Sequence, residues 1–170
     1  KLPSKRGFGE PISLTIDLKS ENKIISCFPF FEGNIILALE TGHGFKINTS
    51  NIIAQTKSGK QILNAKFDNK AKVCKRIKGD TIAVVGDNRK LLVYSIHEVP
   101  ELTKGKGVIL QRYKDGTLSD ITTFNKDNGI VWKMNSGRHR TEKNLSTWQG
   151  KRGAVGKIVP NGFPRPPIFN

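Results

Sequence analysis

The sequence is poor in the residues that carry most site chemistry. Two cysteines, three histidines, one methionine and two tyrosines stand among its 170 residues. Cys27 and Cys74 form no close-spaced pair, which excludes a zinc site of the usual ligand spacing. Two cysteines in a chain of this length are also too few for a disulfide-built secreted scaffold. His43, His97 and His139 lie far apart, each in a polar stretch, and read as surface histidines. No apolar run approaches the roughly 18 residues of a membrane-spanning helix. The chain starts at Lys1 rather than Met and shows no signal-peptide pattern, so it reads as a piece of a longer protein. Acid is scarce as well. Fourteen Asp and Glu face 29 Lys and Arg, a net charge of +15 and a pI near 10.0.

Hydrophobic residues make up 36%, with nine Phe and two Trp, enough for one or two small cores. A wholly disordered basic tail is therefore excluded. The positive field favours polyanions, nucleic acid before an acidic membrane. The charge is graded along the chain. Residues 101–170 hold 13 bases and 5 acids, and the last 43 residues hold Glu142 as their one acid against eight bases. These bases are interspersed with Gly, Ser, Thr and Asn, which suits surface loops better than a lysine-rich arm.

Local patterns read as β. Ile12 to Leu18 alternates apolar and polar residues, the mark of a half-buried strand. Short Ile- and Val-rich runs follow at Ile35–Leu39, Thr81–Val85, Leu91–Tyr94, Val108–Leu110 and Ile130–Trp132. Asp115-Gly116 and Asn128-Gly129 have the composition of hairpin turns. No amphipathic helix of ten or more residues is evident. Tyr94 and Tyr113 read as packing residues inside strands.

Turn glycines and Gly-Lys steps recur. Gly33, Gly79 and Gly129 are spaced 46 and 50 residues, and Gly59-Lys60, Gly105-Lys106 and Gly150-Lys151 are spaced 46 and 45. Cys27 and Cys74, 47 apart, take the same place in successive repeats on this reading, as small apolar fillers. A period near 46 with about four strands per unit predicts blades arranged around an axis. The expected repeats are 1–56, 57–102 and 103–148, with a partial repeat and tail at 149–170. Each blade would set its loops on one rim, so a base per repeat becomes an arc of charge. The candidate nucleic-acid-contacting residues are Arg6, Lys57, Lys60, Lys104, Lys106, Arg112, Lys114, Arg138, Arg140, Lys143, Lys151 and Arg152. Gly42-His43-Gly44 is too short for a dinucleotide fingerprint and reads as a turn. No catalytic, cofactor or metal-ligating set emerges.

Three stretches carry a resemblance: Gly105 to Gly116, Gly42 to Lys46, and Asn161-Gly162-Phe163-Pro164-Arg165-Pro166-Pro167. Together they resemble the C-terminal domain of bacterial DNA topoisomerase IV A subunits, the ParC type, in the same family as the gyrase A C-terminal domain. The resemblance implies an all-β pinwheel, propeller-like with strands exchanged between blades, here with a reduced number of blades. It implies a DNA-binding accessory role on a basic rim that bends duplex DNA, with decatenation and supercoil relaxation as the parent's work. The DNA-cleaving tyrosine, ATP and Mg²⁺ would act elsewhere in that parent, beside a B subunit of the ParE type. The parent would be homodimeric through other regions and cytoplasmic, at the nucleoid. The gyrase branch carries a QRRGGKG box. Gln149-Gly150-Lys151-Arg152-Gly153 is the nearest match and lacks the full pattern, which favours the topoisomerase IV branch. The competing readings are a gyrase A domain with a degenerate box and a propeller-like scaffold for an acidic protein partner.

Overall fold

The computed structural model describes residues 7, 9, 11–19, 21–65 and 69–169. Among these, ten strands and four short 3-10 turns account for the regular structure, with no α-helix. The architecture is an all-β pinwheel whose unit is a hairpin used three times. The hairpins pair β1 (Asn34–Leu39) with β2 (His43–Asn48), β4 (Thr81–Gly86) with β5 (Lys90–Ser95), and β8 (Ile130–Lys133) with β9 (His139–Glu142). Their first strands begin 47 and 49 residues apart, so the observed period is slightly longer than the Gly-Lys spacing.

Two further strands complete the first two sheets. β3 (Ala71–Arg76) pairs with β1, and β7 (Leu118–Phe124) pairs with β4. On the opposite edges, β6 (Val108–Ile109) pairs with β2 and β10 (Lys157–Ile158) with β5. The sheet orders are β3-β1-β2-β6 and β10-β5-β4-β7. β6 follows β4 and β5 in sequence yet belongs to the sheet before theirs, so strands are exchanged between blades. In the third unit the C-terminal segment takes the place that β3 and β7 hold in the others: the Lys133 amide donates to the Phe169 carbonyl at 3.2 Å.

The blades stack through alternate side chains. Ile82 and Val84 of β4 face Ile36, Ala38 and Val73 of the first sheet. Ala83 and Val85 face Ile130, Trp132, Phe163 and Phe169 on the other side. β4 is buried at every position, which is why its sequence is a continuous apolar run rather than an alternating one. A third cluster of Ile35, Phe45 and Ile47 lies on the outer face of the first sheet, packed by Phe31, Ile62 and Leu102.

Several expectations are corrected. Ile12–Leu14 is a 3-10 turn, and Leu14 is 66% exposed. Alternation there meets no sheet edge to pair with. Gly116 and Gly129 do adopt left-handed backbone, at φ 86° and 76°, but on the connections into and out of β7 that join different sheets. The hairpin turns are instead Leu39–Gly42, Gly86–Arg89 and Met134–Gly137. His43 and Gly44 open β2 rather than sit in a turn. Tyr113 lies in the loop after β6, not in a strand. Cys74 is in β3 and packs in the outer cluster, whereas Cys27 is exposed and outside any strand.

Strand exchange requires close approach. A Cβ on Gly107 would collide with the Gly44 carbonyl across the β2–β6 contact, and Gly107 has φ 79°. Gly107→Ala is expected to cost about 3 kcal/mol, from left-handed strain plus backbone displacement. A lowered urea midpoint at unchanged m-value measures it.

Candidate nucleic-acid interface

The candidate surface is built on the outer sheet edges. The chain runs along the edge of β2 twice. Pro100–Leu102 hydrogen-bonds to Lys46, and Val108–Leu110 pairs with Gly42–Gly44. Between these contacts residues 103–107 bulge outward, carrying Lys104 and Lys106, both exposed. The same path recurs one period on. Trp148–Gly150 bonds to Val93, and residues 157–159 return to Arg89–Leu91. The intervening bulge carries exposed Lys151 and half-buried Arg152.

Neighbouring bulges are joined. The Gly105 amide donates to Ile62 O at 3.0 Å, and Asn64 N donates to Gly105 O at 2.8 Å. In the next step Gly153 N donates to Leu110 O at 3.0 Å and Arg112 N to Ala154 O at 3.1 Å. The outer loops therefore form a continuous path from residue 57 through 104–112 to 152. Lys57 and Lys60 lie on its first part, with the Lys60 ammonium donating to Asn51 O at 2.7 Å. The Gly-Lys steps share this path but not one structural position. Gln149 bridges to Val93 as Glu101 bridges to Lys46, so Gly150 corresponds to Leu102 rather than to Gly105.

Other candidates lie off this path. Lys114 is exposed on the loop between β6 and β7, near the hairpin turns. Arg138 is exposed in the β8–β9 turn, and Lys143 follows β9. Arg140 is committed: its guanidinium donates to Asn161 O at 2.8 Å, sits 3.5 Å from Glu142 and lies over the Trp132 ring. Arg152 points inward, donating to Ile109 O at 2.8 Å, and it ties adjacent units together. Arg6 lies outside the described residues.

Some acids are engaged within the fold, Glu98 among them, which accepts from the Arg152 amide at 2.9 Å. Asp120 is buried and holds Lys75 at 2.6 Å, joining the inner strands β7 and β3. Asp80 accepts from Thr81 and from the Lys126 amide, and these bonds lower its pKa. His43, half-buried beside Lys106, is held below the usual histidine range first by burial and then by that lysine's charge.

Among the described residues no group of three or more His, Cys, Asp or Glu is placed to hold a metal ion. The Tyr94 phenol is buried and donates to Leu110 O at 3.1 Å, and burial drives its pKa up. Tyr113 is shifted the same way, also mainly by burial. An activated nucleophile needs the opposite shift. Tyr94→Phe removes one buried hydrogen bond and is expected to cost about 1 kcal/mol, read from thermal unfolding. No helix among the described residues is long and apolar enough to cross a membrane.

Comparison with solved structures matches this arrangement of blades. The E. coli ParC C-terminal domain superposes with a TM-score of 0.78 at 19% identity, over 94% of this chain and 69% of that one. A DNA topoisomerase IV C-terminal domain gives 0.73 at 20%, over 89% and 50%, and a DNA gyrase A C-terminal domain gives 0.61 at 14%, over 87% and 52%. The fold is thus the β-pinwheel found in the C-terminal domains of ParC and gyrase A. No family model matches the chain. Curated relatives do. The A subunit of DNA topoisomerase 4 from Caulobacter vibrioides is 43% identical over 164 residues, 96% of this chain and 22% of the relative. Its counterpart from Rickettsia conorii is 42% identical over 161 residues, 94% and 22%, and that from Pseudomonas aeruginosa 27% over 180 residues, 96% and 23%. The chain belongs to the family of DNA topoisomerase IV A subunits, and it spans about a fifth of the length of these relatives.

Proposed function

We propose that this domain binds and bends duplex DNA along its outer edge and delivers segments to the cleavage core of a topoisomerase IV, for decatenation and supercoil relaxation. The observation that carries the reading is the continuous outer path, on which successive bulges present Lys57, Lys60, Lys104, Lys106, Arg112 and Lys151 to solvent. Lysine on such loops neutralises phosphates and releases counterions without reading base edges. Bending a site of 20–30 bp costs on the order of 1–6 kcal/mol, so contacts must be spread along an arc to offset it. Arg138, Lys114 and Lys143 extend the basic surface beyond the edge. The reading extends to the rest of the assembly: a ParE-type B subunit, dimerisation outside this domain, and a cytoplasmic, nucleoid-associated site of action. ATP and Mg²⁺ act in those other regions.

The test is salt-dependent binding to short linear duplexes of unrelated sequence. With about six to eight phosphates contacted, log affinity falls against log salt with a slope of roughly −5 to −7. Sequence-independent affinity with that slope supports the reading. Binding that is weak at low salt, or insensitive to salt, favours the acidic-protein scaffold.

A further inference from the structure

The turn of the second hairpin departs from the other two. In the first and third hairpins the left-handed turn residue is glycine, Gly42 at φ 80° and Gly137 at φ 82°. In the second it is Arg89 at φ 61°, the one non-glycine residue with positive φ among those described. Arginine is a poor choice for that backbone conformation, because its Cβ crowds the carbonyl. Its side chain has a specific task. The two guanidinium arms donate to Pro164 O at 2.9 Å and Phe163 O at 3.2 Å, and its own carbonyl accepts from the Val159 amide at 2.9 Å.

The segment held in this way is the one that finishes the third blade. Phe163 lies against Trp132 with ring centroids 5.3 Å apart, and against Phe169 at 5.5 Å. The Phe169 amide donates to the second oxygen of Asp120 at 3.0 Å, whose first oxygen takes Lys75. Asn161 of the same segment accepts from Arg140 on β9. The third sheet has two strands of its own, so its orientation depends on this segment.

We propose that Arg89 is a positioning residue: by holding the 163–164 carbonyls it clasps the C-terminal segment, and through it the third blade, to the turn of the second hairpin, and so fixes where the Arg138 turn lies relative to the lysine path. The second half of this proposal rests on the DNA-binding reading above. The left-handed residue recurs in all three hairpins, and arginine in place of glycine there brings a two-armed fork that satisfies two successive carbonyls from one fixed root.

The test uses the whole 170-residue chain with Arg89→Gly and the charge-matched Arg89→Lys. Glycine suits the turn and lysine strains it no more than arginine does, so both variants should fold, with the β4 amides as protected as in the wild type. The Phe163 and Phe169 amides should exchange at least about tenfold faster in both variants. Arg138→Gln should weaken duplex binding about fivefold in the wild-type background and less than about twofold in the Arg89→Lys background. Unchanged protection of Phe163 and Phe169 in Arg89→Gly overturns the clasp, and wild-type protection in Arg89→Lys overturns the fork. An equal effect of Arg138→Gln in both backgrounds overturns the positioning role. A wild-type chain that binds no duplex defeats the DNA-binding reading and the positioning half with it, while amide exchange still judges the clasp.

Discussion

A variant carrying Lys60, Lys104, Lys106 and Lys151 all changed to Gln should lose duplex affinity on the order of 10³-fold at about 0.1 M salt. Each phosphate contact contributes about 0.9 to the slope of log affinity against log salt, so four contacts contribute between roughly 3 and 4. At a salt concentration tenfold below 1 M, the same number is the loss in log affinity. Two readouts must therefore move together: the affinity falls, and the slope becomes shallower by about 3–4. The loss should be uniform across DNA sequences, because lysine on these loops meets backbone rather than base edges. All four residues are exposed and contribute nothing to the apolar clusters, so thermal stability should stay within about 0.5 kcal/mol. A full-strength, steep-slope variant would move the contact surface elsewhere. Arg152 is left out because its guanidinium is spent on Ile109 O.

The largest stability effect should come from Trp132→Ala. Trp132 is fully buried between β4 and the C-terminal segment, in contact with Phe163 and under Arg140. Truncating such a side chain removes its burial and leaves a cavity, at about 3–5 kcal/mol. For a domain of this size that is a fall in Tm of roughly 10 °C. The effect should be largest in the third blade, so Phe169 protection is lost at lower denaturant than that of β4. A uniform, small loss would mean that the third blade contributes little to the core.

The parts of this fold that local chemistry determines were legible in advance. Ile35–Leu39, Thr81–Val85, Leu91–Tyr94, Val108–Leu110 and Ile130–Trp132 all lie in or against strands, because a short β-branched run has few other uses. The repeat was legible because turn glycines are required at similar places in each unit. β2, β3, β7, β9 and β10 were not, since polar residues such as His43-Gly44, the lysines of β3 and the charges of β9 dilute the apolar pattern. The hairpin turns were misread for a related reason. A left-handed glycine marks a sharp change of direction but does not say whether the same sheet continues after it. Arg89 lay hidden because its turn lacks the glycine that advertises such positions. The Lys75–Asp120 pair lay hidden because its partners are 45 residues apart and only the stacking of two sheets brings them together. At the candidate site the reverse holds. The Gly-Lys steps led to the outer loops, and the structure adds that Arg152 and Arg140 are engaged within the protein.

The exchange of β6 limits how such a domain can change its size. The first sheet draws on residues 34 to 109 and the second on residues 81 to 158, so the two intervals overlap. No single cut separates the two sheets and leaves both whole. A viable deletion or duplication must begin and end at corresponding points of successive hairpins, removing or adding 47 to 49 residues at once. The reach of the lysine path is then quantised. A lineage can lengthen or shorten it by one full step, with the terminal clasp carried along unchanged, but it has no intermediate lengths through which to drift.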